Sequence, residues 1–168
     1  RNGRKTFNVS VGRQTIVMNS SEIYYMVNGT LGYIKIDRFS GSSHQQFLTA
    51  LKASQSQGMK DLILDLRNNG GGLLSEATSI ANEFLEKDDL IAFTKGLHRK
   101  RTEYRANGNG TFKTGKLILL INHNTASASE ILAGALQDND RAVLLGSRSF
   151  GKGLVQEPFR LSDGSLIR

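Results

Sequence analysis

Two short segments hold the residues with the clearest chemical potential. Thr125-Ala126-Ser127-Ala128-Ser129-Glu130 sets a serine between alanines just before an apolar helical pattern, and Phe150-Gly151-Lys152-Gly153-Leu154 sets a lysine between glycines in an otherwise apolar turn. A serine hydroxyl at a helix N-terminus lies at the positive end of the helix dipole, which favours an alkoxide or oxyanion, and small neighbours leave room for a carbonyl group. Such a serine needs a base. His44, His98 and His123 are the ordinary candidates, but His123 sits on a strand exit and no Gly-x-Ser-x-Gly elbow surrounds Ser127. A lysine can serve when burial or nearby positive charge lowers its pKa toward about 7 to 8, and Lys152 is the best placed. Both residues also have plain structural readings. Ser127-x-x-Glu130 fits a capping box, Ser129 reads only as a cap, and Lys152 also reads as a surface lysine in a glycine loop.

A third segment, Asn69-Gly70-Gly71-Gly72, has a different potential. Glycines let backbone N–H groups approach a ligand closely and adopt positive φ, as an anion or oxyanion site requires; a tight turn would use them equally. Phosphate chemistry is poorly matched. Gly70-x-Gly72 is followed neither by a third glycine at the dinucleotide spacing nor by the Gly-Lys-Ser/Thr of a P-loop.

Positioning these segments falls to alternating strand and helix patterns. Strands are predicted at 7–11, 14–18, 31–37, 61–66, 90–94, 116–121 and 141–146, with a last one beginning at Leu154-Val155. Helices are predicted from Ser42-Ser43 through Phe47, Leu48 and Leu51 to Gly58, over Leu74 to Leu85, and over Ile131 to Leu136. Ser147 to Gly153 reads as a loop. The glycine segment follows one buried strand and Ser127 follows another. Such an alternation predicts an α/β layered fold with parallel pairing, and ligand sites in α/β folds prefer the carboxyl ends of strands.

Composition narrows the classes. A chain of 168 residues with 38% hydrophobic and 22% charged residues fits one folded domain able to bury roughly 70% of its unfolded surface. No apolar run reaches membrane-spanning length. The excess of 22 Lys+Arg over 15 Asp+Glu gives +7, but the basic residues are scattered. Arg99-Lys100-Arg101 is the only tight run, no aromatics interleave with it, and it reads as a solvated loop rather than a nucleic-acid platform. With no cysteine, disulfides, cysteine nucleophiles and thiolate metal sites are excluded. The ends at Arg1-Asn2-Gly3 and Ser165-Leu166-Ile167-Arg168 read as cuts within a longer pattern, so targeting signals are not legible here.

At these same residues the chain resembles the C-terminal processing, or tail-specific, serine peptidases. The blocks are Gly32-Tyr33-Ile34-Lys35-Ile36, Leu64-Asp65-Leu66-Arg67-Asn68-Asn69-Gly70-Gly71-Gly72, Thr125 to Ile131, Ala133-Gly134-Ala135-Leu136-Gln137-Asp138, and Phe150 to Gln156. The resemblance implies a crotonase-like (ClpP/crotonase) α/β core of repeated β-β-α units over residues 21–168, with residues 1–20 as the remnant of a preceding PDZ domain or linker and the core cut short at its C-terminal end. It implies Ser127 as nucleophile, Lys152 as base and Gln156 as the lysine's support. Ala128 supplies one oxyanion N–H, Gly71 or Gly72 the other, and Asp138 is an acidic residue either near the site or at a helix end. No metal or cofactor is implied. Substrates are proteins or peptides with exposed C-termini, in a bacterial periplasm or envelope, with an envelope adaptor or a homo-oligomer as a further expectation. A peptide-binding relative without catalysis and an acyl-thioester enzyme of the crotonase type are the rival readings.

Overall fold

Apolar segments of strand length separated by amphipathic helices give the following order along the chain. β1 (Ile23–Met26), β2 (Leu31–Lys35), α1 (Ser43–Ser56), β3 (Asp61–Asp65) and α2 (Leu74–Asn82) come first. β4 (Leu90–Gly96), β5 (Arg99–Arg105), β6 (Leu117–Ile121), α3 (Ala128–Asp138) and β7 (Val143–Gly146) follow, and a small hairpin of β8 (Phe159–Arg160) and β9 (Leu166–Ile167) closes the chain. The structure, a computed structural model, describes residues 9–10, 12, 23–156 and 159–167. The strands expected at 7–11 and 14–18 lie outside the described residues, except Val9 and Ser10, which are in no regular element.

One five-stranded sheet runs in the order β1-β2-β3-β6-β7. β1 is antiparallel to β2; β2, β3, β6 and β7 are mutually parallel. The register aligns Ile34 with Leu64 and Leu64 with Leu119, so the even-spaced apolar residues of three strands share one buried face. The helices close that face with Phe47 and Leu51 from α1, Ala77 and Ile80 from α2, and Leu132 and Leu136 from α3. Burial of side chains this size stabilises by about 2 kcal/mol each. Phe84 joins the helical layer to the β5–β6 connection through ring contacts with Phe47 and Phe112 at 5.7 and 6.1 Å.

Several sequence expectations need correction. Arg99-Lys100-Arg101 is not a loop: it opens β5, which pairs antiparallel with β4 to form a separate two-stranded ribbon. Aromatic contact comes from the neighbouring strand, where the Arg101 guanidinium lies 4.1 Å from the centre of the Phe93 ring. The periodicity of β5 is hidden because its side chains are nearly all exposed and charged, leaving no apolar alternation to read. Leu154-Val155 begins no strand; residues 151–156 are irregular. β1, with exposed Ile23, Tyr24 and Tyr25, has no buried alternation and was likewise not legible.

The carboxyl ends of β2 and β3 are clamped by one polar group. Asp65, 1% exposed, accepts hydrogen bonds from Tyr33 Oη (2.6 Å), Arg67 Nη2 (2.6 Å), Arg67 Nε (3.0 Å) and the Arg67 backbone N–H (2.8 Å). Burial alone would raise its pKa, but the bonds from Arg67 and Tyr33 outweigh it and hold the carboxyl below the usual aspartate range. Burial, followed by the neighbouring carboxylate, pushes the Tyr33 hydroxyl up to about 12. Because the folded-state value of Asp65 is depressed, its stabilisation is present above about pH 4 and is lost as pH falls through the folded value. Asp65→Ala is expected to lower unfolding free energy by about 2 kcal/mol in urea titrations at neutral pH and to flatten stability against pH on the acid side.

Candidate active site

β3 and β6 are adjacent parallel strands, so their exits emerge side by side. The Leu66 N–H reaches the Leu120 carbonyl at 2.9 Å, and beyond it the Ala126 N–H reaches the Asn69 carbonyl at 3.0 Å. This pairing lays the glycine loop against the turn that carries Ser127. Thr125 ties the same turn down, its Oγ1 donating to the Leu66 carbonyl at 2.9 Å.

Ser127 is the N-cap of α3, with φ 58° and ψ −119°. An N-cap ordinarily has extended backbone, and a left-handed φ at a non-glycine residue stores strain that the surroundings must hold. The turn lifts a serine between strand and helix, a backbone geometry like that of a nucleophile elbow, without that motif's flanking glycines. The glycine comes from across the fold. Gly71, at φ 96°, packs so closely that an added Cβ would lie 2.6 Å from the Ala126 carbonyl oxygen, 2.8 Å from Ser127 Cβ and 2.9 Å from Ala128 N.

Asn69 organises the loop. It is fully buried; its Nδ2 donates to the Ile36 carbonyl (2.8 Å), its Oδ1 accepts the Gly71 N–H (2.9 Å), and its carbonyl accepts from Ala126 N–H and Ser129 Oγ. Ser129 is thus not a cap but a buried link between α3 and the glycine loop. The Leu73 N–H is also engaged, by the Phe39 carbonyl at 2.9 Å. Among the described residues, the N–H groups of Gly72 and Ala128 meet no acceptor. That leaves two donors beside Ser127, one at the first helical position where an N–H has no intrahelical partner.

Glu130 connects the serine to the lysine. The capping box forms, with Ser127 N–H donating to Glu130 Oε2 at 2.8 Å. The same oxygen accepts the Lys152 N–H (2.9 Å), while Oε1 accepts Ser149 Oγ–H (2.7 Å) and Gly151 N–H (2.6 Å). Phe150 N–H adds a bond to the Thr125 carbonyl at 2.9 Å. Burial would raise the Glu130 pKa, but the bonds from Ser149, Gly151, Ser127 and Lys152 together lower it, so the carboxylate is held ionised.

Ser127, Ala128, Gly71, Gly72, Lys152 and Gln156 all line one cavity of about 870 Å³. Lys152 is half-buried, and its Nζ donates to Gln156 Oε1 at 2.9 Å. The rest of the lining is largely apolar and includes Phe39, Leu73, Phe93, Ile131 and Leu154. None of the three histidines lines it. His44 is instead paired with Glu83, Nε2 to Oε1 at 2.8 Å, and His98 and His123 are exposed. Asp138 is brought nowhere near the cavity: it is the last residue of α3, about 15 Å along the helix from Ala128, and exposed, which fits the helix-end reading.

Glu130 and Asn69 are the residues whose roles here exceed what sequence reading gave. Glu130 was visible only as half of a capping box, and an asparagine preceding three glycines was the only signal for Asn69. Each oxygen of Glu130 faces two donors, so an amide in its place would turn an NH₂ onto two N–H or O–H groups in either orientation. Glu130→Gln is therefore expected to cost about 1–3 kcal/mol of stability and to release residues 149–152, read as lost amide-exchange protection at Gly151 and Lys152.

The family model described as peptidase family S41 matches residues 30–168. A carboxyl-terminal-processing protease of Synechocystis sp. is 45% identical over 139 residues, covering 82% of this chain and 32% of the relative. A chloroplastic C-terminal processing peptidase of Tetradesmus obliquus is 42% identical over 139 residues, covering 82% of this chain and 29% of the relative. The solved photosystem II D1 C-terminal processing protease superposes with a TM-score of 0.78 at 33% identity, over 90% of this chain and 42% of that one. The chain thus spans about a third of the length of the curated relatives it matches. Its fold is the crotonase-like α/β type, and the chain belongs to peptidase family S41.

Proposed function

We propose that this chain is the catalytic core of a serine endopeptidase that cleaves proteins near their C-termini with Ser127 as nucleophile and Lys152 as general base. The observation that carries this reading is the convergence of a strained helix-start serine and a half-buried lysine on one cavity, with both of their segments bonded to Glu130. The names of the relatives, a carboxyl-terminal-processing protease and a C-terminal processing peptidase, support cleavage near a C-terminus.

In this reading the neutral Lys152 amine keeps its bond to Gln156 and takes the Ser127 hydroxyl proton as Oγ attacks the peptide carbonyl. Gln156 Oε1 accepts one amine hydrogen, which orients the nitrogen lone pair toward the serine. The negative charge that develops on the carbonyl oxygen meets the N–H groups of Ala128 and Gly72; Gly71 N–H is already spent on Asn69 and instead shapes the turn. The amine then donates the proton to the leaving nitrogen, and water hydrolyses the acyl-serine by the reverse proton path. A donor of this kind lowers the barrier by about 3 to 4 kcal/mol, as judged from hydrolases where it has been removed.

Among the described residues, no helix is long and apolar enough to cross a membrane. We place the protein in an exported compartment such as a bacterial envelope, with residues 1–20 as the remnant of a preceding tail-capturing PDZ domain or the linker from it, and with an adaptor or a second copy as a partner. The family resemblance supports these assignments. Detection of the protein in the cytoplasmic fraction alone would overturn the first of them.

Mass spectrometry of protein substrates after incubation checks the chemistry. Cleavage near the C-terminus is expected for the native sequence, with a loss of at least about a thousandfold in kcat for Ser127→Ala and for Lys152→Ala. Unchanged cleavage by folded Lys152→Ala would remove the lysine from the mechanism. Binding of peptides without cleavage by either form would favour a non-catalytic relative.

A further inference from the structure

We propose that the free edge of β4 is the seat of the substrate backbone: an extended peptide adds to Ala92–Thr94 as a third strand of the ribbon and so presents its scissile carbonyl to Ser127. The inference rests on the peptidase reading above and names the form of substrate that reading requires.

Among the described residues β4 pairs with β5 alone. A strand with one neighbour leaves alternate N–H and C=O groups unpaired along its other edge, which is a template for another strand. The ribbon protects its two strands differently. β5 carries Arg99, Lys100, Arg101, Glu103 and Arg105, the kind of charge that discourages pairing, whereas Leu90 to Thr94 of β4 carry none. The outer strand is blunted and the inner one is left open.

β4 also runs to the right place. At its start, Asn139 Nδ2 just past the end of α3 holds the Leu90 carbonyl at 3.0 Å. From there the strand runs back along the helix, so that about 10–13 Å further on Phe93 and Thr94 approach the helix start, which is about 15 Å from its end. Ala92, Phe93 and Thr94 accordingly line the same cavity as Ala128, Ile131 and Ser127. A peptide on this edge would pass between β4 and the glycine loop. Its alternate side chains would meet the apolar walls at Phe39, Leu73 and Leu154, and its carbonyls would come within the reach of the Ala128 and Gly72 amides.

Strand addition makes a periodic demand that side-chain contact does not: only every second residue of the substrate bonds the edge. The test uses a short unstructured peptide of alanine, valine and leucine with a free C-terminus, and a series in which each backbone amide in turn becomes an ester. Loss of roughly three- to tenfold in kcat/KM at alternate positions on one side of the cleaved bond, with little change between them, is the expected result. In parallel, the uncleaved peptide is added to the Ser127→Ala protein and amide hydrogen exchange is followed. Slowed exchange at alternate amides of Ala92 to Thr94 is expected. Ser127-dependent cleavage without an alternating ester pattern, or peptide binding without slowed exchange on β4, would overturn the strand and leave the peptidase reading standing. Absence of cleavage together with slowed β4 exchange would do the reverse. No cleavage and no peptide binding would overturn both.

Discussion

The Glu130 carboxylate is the constraint on which the rest of the site depends. Four donors from two separate segments converge on its two oxygens: Ser127 N–H from the start of α3, and Ser149, Gly151 and Lys152 from the segment that follows β7. A carboxylate taken partly out of water would ordinarily lose more in desolvation than one hydrogen bond returns. Here four bonds oppose that loss, and the charge also lies within the first turn of a helix, where the dipole favours it. The result fixes the backbone of Lys152 relative to that of Ser127 through their N–H groups and leaves the lysine amine to Gln156. Residues 151–156 have no secondary structure to place them, so this carboxylate and the Phe150–Thr125 bond carry most of that task.

The cap and nucleophile readings of Ser127 are consequently not alternatives. The bond from Ser127 N–H to Glu130 holds the serine's left-handed backbone, and the same residue lines the cavity. That conformation needs a neighbour with no side chain, which Gly71 supplies, and Gly71 needs a fixed course, which Asn69 imposes from inside the core. Strain at the serine is thus balanced by buried hydrogen bonds that run back to β2 and β3. The Asp65 clamp between Tyr33 and Arg67 stiffens the same strand ends from the opposite face of the sheet.

Charge is distributed with similar consequence. Much of the basic excess on the ribbon sits on β5, which contributes no residue to the cavity lining, and the lining itself is mainly apolar with Lys152 as one of its few charged side chains. An apolar wall takes up uncharged groups more readily than charged ones.

Residue types and spacing alone determined the layered α/β class, because 61–65 and 117–121 are apolar runs of strand length and 74–82 has a clear helical period. They also marked the three segments that line the site, since glycines before a helix, a serine between alanines and a lysine between glycines are local patterns. β1 and β5 escaped notice because exposed strands carry no burial alternation, and 154–155 looked like a strand because apolar side chains there line a cavity rather than a core. Only the tertiary structure decided which glycine amide is already bonded, that Asp138 lies at the far end of its helix, and that Glu130 joins segments nineteen to twenty-two residues apart. Those facts depend on where side-chain atoms meet across the fold. Local sequence sets backbone preference and polarity, but a hydrogen bond between distant segments exists only once the core has brought them within 3 Å of each other.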